Sequence, residues 1–496
     1  MSEFTRRQFL HDSLLAAAAA ATAGSAATLI AADVTPQSTS PNERIRVAVL
    51  GVNGRGKAHL AEYAGRADTA VAIICDPDEN VGQKRCEDFP NKDGSKAKYV
   101  RDLREVLDDK SIDIVSIAMP NHWHSLAAIW ALQAGKDVFV EKPVSHNVSE
   151  GRRLVEAANK YSKQICQVGT QGRSLPGAQQ TMEFMRSGGI GEVKLARGLC
   201  YNRRDSIGPK GVFDVPPGID YNLWCGPAPL KPPTRNSKQN GPVHYEWHWF
   251  WDYGNGDLGN QGIHQMDIAR WGLGVNELAQ AVISYGGRFG YEDAAETPNT
   301  QIIVFDYGPK SLVFEVRGLP SVKFKNTDVG VVFEGTNGYA VVPKNYRGAG
   351  GAAFDKDGQL IEKFTGEGNN FPRFINALRT RNKADIDAPA LEGHLSSALC
   401  HLGNISYRLG KPMTNPQIVE RLKGIKLNDN SQDTLDRTVE HLAANNVTLD
   451  DKTKFHCGEF LKFDPKTETF PNSPPANELC TRDYRSPFVL PTADRV

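Results

Sequence analysis

From Arg44 to Val168, short apolar runs alternate with stretches whose apolar residues recur every three or four positions. That alternation predicts parallel strands joined by crossover helices. A strand buried on both faces is apolar throughout, whereas a helix lying on the sheet buries one stripe. Ile45–Leu50, Ala70–Cys75, Asp113–Ala118, Asp137–Val140 and Gln164–Val168 read as strands. Helices are expected from the turn after Leu50 to about Gly65, over His122–Ala134 and over Ser149–Tyr161.

Beyond Gly169 the pattern changes. Val193–Cys200, Ala279–Ser284, Thr300–Tyr307, Ser311–Val316, Val329–Glu334 and Tyr339–Val342 read as strands, most with short links. Gly308-Pro309-Lys310 and Thr336-Asn337-Gly338 are turn residues suited to antiparallel pairing. The stretch between Cys200 and Ala279 is rich in Pro, Gly and Trp and holds five of the seven tryptophans. So long an excursion is usually functional. Helices over Phe371–Arg381 and Leu391–Leu409 should cover the sheet, and from about Lys411 the chain is polar, helical at first and then irregular. The expected fold class is α/β. A parallel sheet with crossover helices spans 44–168, an α+β domain with a largely antiparallel open sheet spans 169–410, and an extension spans 411–496.

With 496 residues the chain exceeds one ordinary core. Its 58 basic and 58 acidic side chains cancel, which argues against nucleic acid or an anionic membrane as partner. No internal apolar run is long enough to span a bilayer. Residues 1–32 differ in kind: Thr5-Arg6-Arg7-Gln8-Phe9-Leu10 precedes an Ala-rich apolar stretch from Leu14 to Ala32. The segment resembles a twin-arginine export signal, with cleavage expected between Ala27 and Ala32 and a periplasmic or otherwise exported destination. Residues 33–43 read as a linker. The eight cysteines show no metal-ligand spacing, and Cys75, Cys166 and Cys200 fall inside apolar strands as core thiols. Cys457 and Cys480 lie near the C-terminus, and the sequence does not decide whether they pair.

Val47–Leu50 leads into Gly51-Val52-Asn53-Gly54-Arg55-Gly56, a G-x-G-x-x-G fingerprint with Asn53 at the second glycine. Gly51 permits the tight turn, Gly56 lets helix and strand pack closely, and the helix amides face a pyrophosphate. Asn53 tolerates left-handed backbone angles better than most residues. Asp76 ends the second strand, 20 positions after Gly56, where an acid bonds the ribose hydroxyls. These features predict a Rossmann-type domain that binds a nicotinamide dinucleotide. The charge of Asp76 favours NAD over NADP, while Arg55 and Lys57 lie close enough to admit NADP.

Two further motifs sit after parallel strands, on the carboxyl edge where ligands collect. They are Pro120-Asn121-His122-Trp123-His124 and Glu141-Lys142-Pro143. With Gly259 to Asp267, which contains Gly262-Ile263-His264, they make the chain resemble the Gfo/Idh/MocA oxidoreductases over residues 44 to 410. The tail around Ala476-Asn477 and Tyr484–Phe488 looks like exported branches of that family. The resemblance implies a lysine and a histidine at the substrate hydroxyl, which match Lys142 and His264. It also implies an acid four residues before the histidine, where this chain has Asn260. An amide can bond a hydroxyl but cannot take its proton, so acid–base work would fall to His264 and Lys142. Homo-oligomers, dimer or tetramer, built through the open sheet face are implied as well.

Asp257, Asn260, His264, Asp267 and Trp271 have helical spacing and would share one face. Gln171 and Arg173, just after the closing strand, are expected to contact cofactor or substrate, and the excursion from Asn202 to Tyr253 to roof the pocket. Its tryptophans, Trp251 among them, would offer sugar rings flat apolar faces. His244 and His248 are four apart, but no third ligand accompanies them and no metal is expected. The expected activity is hydride transfer between a tightly bound nicotinamide cofactor and a secondary hydroxyl or ketone of a sugar, cyclitol or related polyol. Two alternatives stay open: an NAD-dependent glycoside-cleaving enzyme working through transient oxidation, and a non-catalytic cofactor-bound sugar-binding protein.

Overall fold

A computed structural model of the protein describes residues 43–344 and 349–496. The twin-arginine segment and most of the linker fall outside the described residues.

Six strands form the first sheet: β1 (Ile45–Leu50), β2 (Thr69–Cys75), β3 (Lys98–Val100), β4 (Ile114–Ile117), β5 (Asp137–Val140) and β6 (Cys166–Val168). They pair in the order β3-β2-β1-β4-β5-β6, all parallel. The order reverses between β1 and β4, and a crevice opens there at the carboxyl ends of the strands. The periodicity had placed five of these strands. It left out β3 and the helices Glu79–Asp88 and Leu103–Asp108 that flank it. β3 is three residues long and exposed at Lys98, too short to carry a period.

The second sheet has eleven strands. Its centre is β7 (Val193–Cys200), β8 (Ala281–Gly287), β9 (Thr300–Asp306), β10 (Ser311–Arg317), β11 (Val329–Gly335) and β12 (Gly338–Pro343). β7 and β10 run parallel, and their other neighbours are antiparallel. β13 (Ala349–Asp355) and β14 (Leu360–Thr365) extend one edge and were not foreseen. β13 is Gly- and Ala-rich because the helix Pro176–Arg186 lies against it. A Cβ on Gly350 would stand 2.4 Å from the Cα of Gly177. Most of β14 is exposed.

The tail is helical at first, as expected, after one three-residue strand; strands that were not expected, β15 (Lys411–Met413), β16 (Phe455–Cys457) and β17 (Leu461–Lys462), join the β8 edge of the sheet. Between them the helices Asn415–Lys423 and Ser431–Ala444 lay Ile418, Leu422, Leu435 and Leu442 on Leu195, Ile283, Ile302, Val304 and Val313. The helices Gly262–Leu273 and Ala390–Arg408 bury the opposite face. The sheet face that the resemblance left open for assembly thus lies beneath the chain's own residues. The last residues return to the first sheet, where Phe488 packs edge-on against Trp123 at 5.3 Å. All eight cysteines are buried free thiols, Cys457 and Cys480 included. Among the described residues no helix is long and apolar enough to cross a membrane.

Candidate active site

The site begins where β1 ends. Gly51 sits at φ 78°, and a Cβ there would meet backbone atoms of Met119 at 2.7 Å. A Cβ on Gly56 would strike the carbonyl oxygen of Gly51 at 2.0 Å, so only glycine lets the helix Gly56–Ala64 start this close to the strand. A Cβ on Gly54, by contrast, would meet nothing within 4 Å. Among the described residues no side chain caps the helix, so its N-terminal field is available to a pyrophosphate. Asp76 reaches back across this turn and accepts from the backbone N–H of Val52 at 2.8 Å and of Asp78 at 3.0 Å. Burial raises its carboxyl to about 6 despite those bonds. Each oxygen keeps lone-pair capacity for a ribose hydroxyl.

A cavity of about 530 Å³ opens over this turn. Gly51, Asn53, Gly54, Arg55, Asp76, Pro120, Asn121, His124, Glu141, Lys142 and Asn260 line it. So do Trp224, Asn240, His244, Tyr245, Trp247 and His248 from the excursion, which forms its roof. The roof is tied down. His244 Nε2 lies 2.8 Å from Asp78 Oδ2, Asn80 donates to the carbonyl of Pro217, and Trp123 Nε1 donates to the carbonyl of Trp224. Asp78 also caps the helix Glu79–Asp88, so one carboxylate holds both elements.

The Glu-Lys-Pro motif divides its work. Glu141 is buried; it accepts from Arg55 Nε at 2.7 Å and faces His59 Nε2 at 3.2 Å. Burial alone would raise its carboxyl, but Arg55 and His59 hold it well below the usual range, so it is a fixed negative charge under the cavity. Lys142 donates from Nζ to the backbone carbonyl of Asn260 at 3.0 Å. Burial lowers its pKa, against the pull of Glu141. His124 joins the two loops: its ring nitrogens stand 2.6 Å from the carbonyl oxygens of Met119 and Pro143.

The stripe from Asp257 to Trp271 is not one helical face. The helix breaks at Gln261, between Gly256–Asn260 and Gly262–Leu273. Asp257 pairs with Arg204 at 2.8 Å. Asp267 pairs bidentately with Arg173 and accepts from Ser396, and Arg173 lies over Trp271 at 5.5 Å. Arg173 and Asp267 therefore neutralise each other and do not line the cavity, contrary to the substrate role expected of them. Gln171 opens a short 3-10 helix, and neither it nor Gly56 lines the cavity. His264 is buried and borders a small void of about 30 Å³ with Gly172 and Lys344. Burial, then the charge of Lys142, pushes its pKa well below 6.5. Trp251 lies in a separate cavity of about 560 Å³ under Arg408. Trp224 and Trp247 take the place expected of it. The Trp-rich composition marked the excursion but could not say which rings face inward.

Comparison with known proteins agrees with this architecture. Residues 45–170 match the family model described as oxidoreductase family, NAD-binding Rossmann fold, and residues 208–438 match that family's C-terminal alpha/beta domain. An inositol 2-dehydrogenase of Salmonella typhimurium is 29% identical over 159 residues, 32% of this chain and 46% of that protein. A glycosyl hydrolase family 109 protein of Shewanella sp. is 32% identical over 182 residues, 33% of this chain and 39% of that protein. The chain thus spans less than half the length of these curated relatives. Among solved structures, the WlbA dehydrogenase of Bordetella pertussis, in complex with NADH and UDP-GlcNAcA, superposes with a TM-score of 0.55 at 20% identity. That match covers 74% of this chain and 97% of the other. A levoglucosan dehydrogenase in complex with NADH and levoglucosan gives 0.53 at 19% identity, covering 72% and 96%. At such identities these two likenesses speak for the fold alone. With both domain models matched in chain order and the glycine turn, Asp76 and Lys142 around one crevice, the chain belongs to the Gfo/Idh/MocA family of NAD-binding oxidoreductases.

Proposed function

We propose that the protein transfers a hydride between NAD and a secondary hydroxyl or ketone of a sugar, cyclitol or related polyol. The observation that carries this reading is the single cavity in which the glycine turn and Asp76 meet Lys142 and Asn260. Gly51, Gly54 and Asp76 would hold the dinucleotide, whose nicotinamide supplies a two-electron acceptor or donor. Lys142 would hydrogen-bond the reacting oxygen and offset its negative charge. Trp247, half-buried in the same cavity, gives a sugar ring an apolar face. The relative named inositol 2-dehydrogenase supports the substrate class. The test is turnover of myo-inositol, levoglucosan, methyl glucosides, 3-keto sugars and aryl glycosides, with cofactor absorbance followed. Cofactor binding without turnover of any of them would instead favour a sugar-binding protein.

A second reading rests on the family 109 relative. In it the oxidation is transient and an aglycone is eliminated, so aglycone release without net change in cofactor absorbance would select it. Export by the twin-arginine route belongs to the proposal too, supported by Arg6-Arg7 and the apolar stretch behind them. An exported enzyme would carry its NAD from the cytoplasm, so near-stoichiometric NAD should be released on denaturing the exported form. An apo protein that works only with added NAD would count against export.

A further inference from the structure

Oxidising a hydroxyl needs an acceptor for its proton, and Asn260 cannot serve. Lys142 directs its Nζ at a backbone carbonyl, and His264 lies outside the cavity. Three imidazoles line the cavity with Lys142 and Asn260; His124 has both ring nitrogens at backbone carbonyls and His244 faces Asp78, which leaves His248. Resting on the function proposed above, we propose that His248 is a catalytic residue whose Nε2 accepts the proton of the substrate hydroxyl.

The sequence around His248 fixes the ring in the form this task needs. Its imidazole stacks on Trp247, with ring centroids 3.7 Å apart and planes inclined by 21°. Its Nδ1 faces the carbonyl oxygen of Tyr245 at hydrogen-bond distance. A carbonyl only accepts, so Nδ1 carries the proton and Nε2 the lone pair. Nε2 has no hydrogen-bond partner among the described residues and is not a closed-off buried atom. The presenting turn is held from two sides. Tyr245 sits at φ 55°, in the left-handed region, and its hydroxyl accepts from Arg204 Nη1 at 3.3 Å. Behind His248 the chain passes so close that a Cβ on Gly254 would lie 2.6 Å from the Cα of His248. These constraints hold the ring in one place, as a functional side chain requires.

Lys142, Arg204 and His124 are the titratable groups acting on this ring, with the Tyr245 carbonyl as its fixed acceptor. Burial lowers its pKa to about 3, the Tyr245 carbonyl resists, and the two cations lower it further. The resting ring is therefore neutral, and proton uptake by Nε2 must be drawn by the departing hydride rather than by the ring's own basicity. In the oxidative direction the hydroxyl O–H bond breaks and its proton passes to Nε2. The C–H bond breaks with both electrons leaving as hydride to the nicotinamide, and the carbon–oxygen bond becomes a carbonyl. The resulting imidazolium keeps its Nδ1–H bond to Tyr245, and ketone reduction runs the same transfers backwards.

The experiment uses NAD-loaded protein labelled with [15N]histidine. Nε2 of His248 should resonate as an unprotonated nitrogen and shift when myo-inositol or levoglucosan is added. In H248Q the amide oxygen can still accept the hydroxyl hydrogen bond but cannot take the proton. Its kcat should fall about a hundredfold or more while KM and NAD affinity stay within about threefold. H248F keeps the stack on Trp247 and should raise KM as well. An H248Q variant retaining more than about a tenth of wild-type kcat would overturn the assignment. If the wild type turns over none of the probes, the proposed function fails, and the nitrogen spectrum judges His248 without it. A polyol-dependent Nε2 shift then sustains the contact, and an unmoved Nε2 at saturating polyol sinks it.

Discussion

Asp76 does two jobs with one carboxylate: it accepts from the backbone N–H groups of Val52 and Asp78 at the glycine turn, and it lines the cavity. Asp76→Ala should therefore weaken NAD more than NADP, since the charge that repels a 2′-phosphate goes with the ribose acceptor. It should also cost about 1–3 kcal/mol of stability, because buried amides lose their acceptor. Paired titrations with NAD and NADP check the first effect, and an unchanged preference would remove Asp76 from the ribose site. NAD affinity should fall as the pH drops below about 6, where burial lets the carboxyl take its proton. Lys142 is the other decisive residue. Its alanine variant should bind NAD normally and lose about two orders of magnitude or more in turnover. Stopped-flow hydride transfer at saturating cofactor reads this directly, and a variant within tenfold of wild type would displace Lys142 from the chemistry.

Between residues and molecule stands the roof, an excursion without regular structure of its own over most of its length, pinned to the parallel sheet at a few points. His244 is one pin, and its bond to Asp78 joins the roof to the helix after β2. His244→Ala should release NAD several-fold faster while changing the melting temperature little, because the core beneath is untouched. Fluorescence measurement of cofactor release decides this; an unaltered off-rate would mean the roof closes without that pin. This scale also shows what the sequence could reveal. β1, β2 and β5 are largely apolar runs, and the glycine turn is a local backbone demand, so these were legible from neighbouring residues alone. β3, β13 and β14 were not, because three-residue, glycine-rich or exposed strands owe their existence to partners distant in the chain. The site divides likewise. Asp76 and Lys142 follow from their places after parallel strands. The pairing of Arg173 with Asp267 joins residues 94 apart, and no spacing rule could reveal that the two satisfy each other. The inward turn of Trp247 and His248, rather than Trp251, depends on how the roof folds over the crevice.

At the scale of the whole molecule, the tail closes a sheet face that would otherwise be apolar and exposed. It does so around a buried charge cluster. Glu315, on β10, is fully buried; it accepts from Arg197 at 2.8 Å, Arg437 at 2.9 Å and Arg317 at 3.2 Å. Arg197 also pairs with Asp429 at 2.6 Å, so two tail residues, Asp429 and Arg437, complete a network that starts in the sheet. Any dimer or tetramer of this protein would have to use a different surface or displace these helices. The cluster also fixes how the fold answers acid. Burial would raise the Glu315 carboxyl, but the three arginines lower it from 4.5 to about 2. A carboxyl depressed in the folded state adds stability above its unfolded pKa and loses it as the pH falls through the folded one. The contribution of Glu315, about 3 kcal/mol by this shift, should be intact above pH 4.5 and gone near pH 2. Glu315→Gln leaves three arginines around a neutral amide and should cost about 3–5 kcal/mol at neutral pH, the usual penalty for removing one partner of a buried pair. The loss should shrink as the pH approaches 2, because the wild type then carries a neutral carboxyl at the same place. Denaturant unfolding of both proteins at pH 7 and near pH 3 separates the possibilities. A variant as stable as the wild type at pH 7, or a stability gap independent of pH, would show that the cluster does not hold the tail on the sheet.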